Sequence, residues 1–88
     1  MGGQDELKLT AAQARARDLL VELSPRYDEG WVEAGELHGP LVREGLVADA
    51  RTAAPTGQVL STLVKRGVAE RRWSRFYSSW TYRPKAAS

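Results

Sequence analysis

The chain contains no cysteine and a single histidine, His38. The first absence excludes disulfides, thiolate metal sites and a cysteine nucleophile. The second leaves no His-pair metal site and no Ser-His-Asp set with a base to spare. No apolar run comes near the ~18–20 residues that a membrane-spanning helix requires. The opening Met-Gly-Gly-Gln-Asp-Glu has no basic-then-apolar secretory pattern, so the expected location is intracellular: cytoplasmic, or with the nucleoid. Carboxylates nearly vanish from the second half, where Glu70 is the one acid after Asp49. No motif for a cofactor, a metal or a small-molecule ligand is present, and no nucleophile–base set. The expectation is a protein that is not an enzyme.

What is present describes one small domain. Eighty-eight residues with 42% apolar and 27% charged side chains suit a soluble globular chain with a single core. The bias to arginine and alanine fits a G+C-rich bacterial or phage coding sequence. Net charge is only +2, yet it is distributed very unevenly. Residues 1–50 carry five bases against ten acids, a balance of −5; residues 65–88 carry seven bases against Glu70 alone, a balance of +6. Such asymmetry points to a surface that meets a polyanion. The basic stretch also holds Trp73, Phe76, Tyr77, Trp80 and Tyr82, which an unstructured tail seldom does.

Periodicity divides the chain. Residues 1–9 read as a flexible leader in which Leu7 and Leu9 can pack on the body. Thr10 with Gln13 forms a capping-box pattern, and Ala12, Ala16, Leu19, Leu20 and Leu23 then recur at helical spacing, predicting a helix over 10–24. Ser24-Pro25 ends it. Trp31-Val32 reads as an isolated bridge strand. A second helix is predicted from Glu33 or Ala34 with Leu37, Leu41 and Val42 inward, kinked or split at Pro40 and capped by Gly45. Thr52 is the expected N-cap of a third helix, 53–66, whose stripe is Thr56, Val59, Leu60, Leu63 and Val64 and whose stop is Gly67. A change to alternating pattern predicts strands on both sides of a Ser74–Ser78 tip. Pro84 ends the second strand, and residues 85–88 are expected to fray. Trp31, Trp73 and Trp80 are expected in the core, where so small a domain needs their area.

The order helix, short strand, helix, helix, hairpin resembles the winged helix-turn-helix DNA-binding family over about residues 10–84. The run Thr56-Gly57-Gln58-Val59-Leu60-Ser61-Thr62-Leu63-Val64-Lys65-Arg66-Gly67-Val68-Ala69-Glu70-Arg71-Arg72 is similar to a recognition helix entering the first wing strand. Trp31-Val32 before Ala34-x-Glu36-Leu37 is similar to the family's short strand and first helix of the turn pair. Pro40 and the long interval from Gly45 to Arg51 depart from the family's tight turn. The resemblance implies an α+β fold with a three-helix core, a C-terminal β-hairpin wing and a short extra strand.

It also implies binding to double-stranded DNA, as a small transcriptional regulator or a phage or mobile-element protein. On that expectation Gln58, Ser61, Thr62 and Lys65 face the major groove, with Gln58 suited to adenine. Arg51, Thr52 and Thr56 surround the helix N-terminus, where backbone donors favour a phosphate. Arg66 lies at the helix end, and the wing supplies Arg71, Arg72, Arg75 and Tyr77 to the backbone or minor groove. A homodimer is compatible, since a single module buries only roughly 600–1,000 Å² of protein surface on DNA. Two alternatives stay open: an adaptor that grips a protein through its acidic half or aromatic wing, and an RNA or single-strand binder whose wing aromatics stack on bases. One spatial condition underlies the DNA reading. The cationic hairpin must lie beside the polar side of the 52–66 helix.

Overall fold

Helices and strands follow one another in the computed structural model, which describes residues 8–85, as α1 (Ala11–Leu23), β1 (Val32–Glu33), α2 (Ala34–Arg43), α3 (Ala54–Lys65), β2 (Ala69–Ser74) and β3 (Ser79–Pro84). Two 3-10 turns, Ser24–Arg26 and Asp28–Gly30, connect α1 to β1. The strands form one antiparallel sheet in the order β1-β3-β2. The fold is therefore α+β, three helices with a three-stranded sheet. No helix among the described residues is long and apolar enough to cross a membrane.

Local chemistry accounts for most boundaries. The Thr10 hydroxyl accepts from the Gln13 amide, and the Gln13 side chain accepts from the Thr10 amide, both at 3.1 Å, so two of the orphan donors of α1 are satisfied. The helix stops at Leu23, just before Ser24-Pro25. Two glycines then terminate α2 and α3 in the same way. Gly45 (φ +72°) and Gly67 (φ +76°) take the left-handed conformation. Their amides donate to Val42 and Val64 carbonyls, and the next amides, Leu46 and Val68, reach back to Leu41 and Leu63 at 2.9 Å. This is the Schellman arrangement used twice, and the matching words Leu-Val-Arg-Glu-Gly-Leu and Leu-Val-Lys-Arg-Gly-Val are its sequence form.

Three sequence expectations are narrowed or corrected here. Of the two forms expected at Pro40, the split is not found: α2 runs as one element to Arg43. An interior proline costs about 3 kcal/mol, and the inward Leu37 and Leu41, both fully buried, together contribute about 3–6 kcal/mol. The N-cap of α3 is Ala53 rather than Thr52. Thr52 still serves the helix, its hydroxyl accepting from the Ala54 amide at 3.3 Å. At the chain end Lys85 does not fray, because its amide donates to the Val68 carbonyl at 3.0 Å and extends the ladder. Leu9 packs against the core as expected, while Leu7 lies outside the described residues.

The core lies where the three helices meet the inner side of the sheet. Ala16, Leu19 and Leu20 of α1, Leu37 and Leu41 of α2, and Leu60 and Leu63 of α3 close on Val32, Ala69 and Tyr82 of the strands. The register of the sheet pairs Val32 with Tyr82, and Ala69 with Pro84. The tryptophans are not core residues. Trp31 is half-buried under two guanidinium groups, and Trp73 and Trp80 keep 50% and 41% of their surface exposed. The helical leucines already fill the interior, so the indoles are left along the hairpin.

Candidate nucleic-acid interface

Helix α3 presents two opposite sides. Thr56, Leu60 and Leu63 are buried. Ala54, Gln58, Ser61 and Lys65, at spacings of four, three and four, lie along the other side, with Thr62 next to them. The helix is oriented from its N-terminal end by His38 of α2. His38 Nδ1 stands 2.9 Å from the Thr56 hydroxyl and Nε2 stands 3.3 Å from the Ala50 carbonyl. With the ring proton on Nε2, the hydroxyl donates to Nδ1 and the ring donates to the carbonyl. One imidazole thus ties α2, the connecting segment and the first turn of α3 together. Elsewhere Arg15 of α1 pairs with Glu44 at 3.0 Å, and that hydrogen bond raises the guanidinium pKa further.

The hairpin also has two faces, fixed by its register. Arg71 pairs with Tyr82 and Trp73 with Trp80, and because strand side chains alternate, these four share the face that continues from Ala69. Glu70, Arg72, Ser74, Ser79, Thr81 and Arg83 belong to the opposite face. The four-residue turn Arg75–Ser78 joins the strands, with Ser78 at φ +54° and the Tyr77 amide donating to Ser74 Oγ at 3.2 Å.

An open furrow runs between these two surfaces. One wall is α3, through Ala54, Gly57, Gln58, Ser61, Thr62 and Lys65. The other is the hairpin, through Arg71, Trp80 and Tyr82. A second hollow, which shares Ala54, Trp80 and Tyr82, prolongs it past Thr52 to Glu33, Ala34 and Gly35 at the start of α2. Glu33 is the carboxylate at that far end, and its Oε2 accepts from the Ser79 hydroxyl at 2.8 Å.

The furrow gathers some of the predicted residues and leaves others out. Gln58, Ser61, Thr62, Lys65, Thr52 and Arg71 line it, although the Thr62 hydroxyl donates to the Gln58 carbonyl at 3.1 Å. Thr56 must be removed from the set: it is fully buried against His38 and cannot meet a phosphate. Arg72 does not line the furrow. It lies on the far face of the hairpin, its guanidinium 4.6 Å from the Trp31 ring and 3.4 Å from Glu29. Arg83 completes that layer, 4.3 Å from the same ring, with bonds to Glu70 and to the Glu29 carbonyl. Tyr77 borders a separate notch on that far face, beside Tyr27 and Phe76. Arg75 is exposed at the tip, Arg51 is exposed before α3, and Arg66 is the C-cap of α3; none of the three lines the furrow. Trp80 is the lining residue that sequence reasoning assigned to the core. Its alternation in phase with Tyr82 was the available signal, but facing Arg71 depends on a register that only the turn length sets.

Comparison of the chain with models of known protein families, with curated proteins and with solved structures finds no match.

Proposed function

We propose that the chain is a double-stranded DNA-binding protein of the winged helix-turn-helix type, with α3 as its recognition helix and the β2–β3 hairpin as its wing. One observation carries this reading: the polar side of α3 and the Arg71 side of the hairpin line the same furrow. A major groove about 12 Å wide admits one helix, and amide and hydroxyl side chains at spacings of three and four meet successive base edges. Gln58 supplies the bidentate group and Lys65 a cation for the backbone. Arg71 reaches phosphate from the other wall. A small transcriptional regulator or a mobile-element protein fits this size and layout.

Selection of bound duplexes from a random pool, repeated at two salt concentrations, tests the reading. The expected result is a recurring motif and an affinity that falls steeply with salt. Gln58→Ala should then cost about 1–3 kcal/mol and relax preference at a single base position, whereas Lys65→Ala should weaken all sequences alike. Absence of duplex binding at low salt rejects it.

A further inference from the structure

Two half-exposed indoles stand on the furrow side of the hairpin. Trp73 and Trp80 are cross-strand partners, edge to face, with ring centroids 5.5 Å apart and planes at 83°. The Arg71 guanidinium lies 4.3 Å from the Trp80 centroid. Large apolar side chains grouped on a surface mark a contact site more often than an accident of packing. Their position restricts what the contact is. Trp80, with the nearly buried Tyr82, is common to the furrow and its extension and stands opposite Gln58 and Lys65, so an occupant that runs from one into the other passes it.

An intact duplex does not use such a surface well. Its base faces are stacked on one another, and it offers a visiting side chain only base edges, sugars and phosphates. Flat aromatic rings beside a cation are matched instead by unpaired bases, whose faces are free and whose phosphates remain close by. We propose that the ligand is a duplex that continues into an unpaired strand, with α3 on the duplex and the strand laid along the hairpin so that its bases stack on Trp73 and Trp80. The inference rests on the DNA-binding reading above and narrows it to a junction. Arg71 then serves both parts: it steadies Trp80 and neutralises the phosphate where the strands part.

The test compares three labelled ligands by fluorescence anisotropy: a blunt duplex, the same duplex with a six-nucleotide single-stranded extension, and the extension strand alone. The extended duplex should bind about tenfold tighter than the blunt one or better, and should quench tryptophan emission more strongly. In Trp73→Ala/Trp80→Ala the ratio of the two affinities should fall to about one; Trp73→Phe/Trp80→Phe should retain part of it and guards against loss of fold, which circular dichroism monitors. An extension that gives wild type no advantage, or an advantage that survives the alanine pair, overturns the junction while leaving duplex binding intact. A strand that binds alone as tightly as the extended duplex also overturns it. If no ligand binds and the indoles instead support a concentration-dependent dimer in sedimentation, both readings fail together.

Discussion

Among single residues, Gly30 is the most tightly constrained. Its φ is +81°, a region that side chains with a Cβ seldom adopt, and a Cβ placed there would stand 2.5 Å from Ser24 Oγ. That hydroxyl already donates to the Gly30 carbonyl at 2.8 Å, so it has little freedom to move. Gly30→Ala should lower stability by about 2–3 kcal/mol in urea unfolding, strain and overlap together. Adding Ser24→Ala should recover the part due to overlap; full retention of stability in the single variant would refute the account. Tyr27, in the same loop, gives a pH signature. Its phenol donates to Glu36 at 2.8 Å, and that bond, then partial burial, raises its pKa above the ordinary value. The fold favours the neutral phenol, so this contribution is complete below about pH 10 and disappears as pH rises through the higher folded value. Absorbance titration near 295 nm should show a late-ionising tyrosine that is missing from Tyr27→Phe. A variant that removes an ordinary tyrosine instead would remove this link between loop and α2.

Elements were legible in the sequence wherever their chemistry is local. The capping box of α1, the stop at Ser24-Pro25 and the glycine ends of α2 and α3 need only three to six consecutive residues, and each lies where its residues direct. Continuity of α2 through Pro40 was less legible, because the cost of a proline is local while the gain that outweighs it, burial of Leu37 and Leu41, depends on the rest of the chain. The hairpin illustrates the same limit. Arg71 and Arg72 are neighbours in sequence and equal in composition, yet strand alternation sends them to opposite faces, and only one meets α3. The alternation was visible in residues 68–73, but which phase faces the helix follows from packing of Ala69 and Tyr82. Single substitutions separate the two. Arg71→Ala should weaken duplex binding and reduce the log–log salt slope by about 0.9, the loss of one phosphate contact. Arg72→Ala should leave the slope unaltered and lower thermal stability slightly, since an exposed ion pair and a stacked guanidinium contribute about 1 kcal/mol together. Equal slopes for the two variants would place both arginines on the ligand and invalidate the facial assignment.

Over the whole molecule, charge that looks abundant in sequence is partly spent inside the protein. Of the seven cations after residue 64, Arg72 and Arg83 are engaged with Glu29 and Glu70, Lys65 and Arg71 line the furrow, Arg75 is exposed at the tip, and Arg66 and Lys85 lie outside the furrow at the ends of α3 and β3. Counting bases along the chain therefore overstates the positive charge that is free of partners within the fold. Three phosphate contacts, with Arg51 as a fourth from the exposed segment before α3, correspond to a salt slope of roughly −3 to −4 for a monomer on a duplex. A slope near −6 would require further contacts, from Arg66 and Lys85 or from the arginines on the far face. Glu33 borders the other end of the furrow and opposes this field from its rim, where its carboxylate accepts from Ser79. An amide keeps an oxygen for the Ser79 hydroxyl and removes the charge, so Glu33→Gln should preserve the fold and tighten nucleic-acid binding several-fold, with the gain largest at low salt, where screening is weakest. The gain should also be larger for a ligand that extends along the furrow past Trp80 than for one confined to α3, because only the longer ligand brings phosphates to Glu33. Titration of both ligands at two salt concentrations measures this difference directly, and a gain that is equal for the two would mean that the bound strand does not follow the furrow.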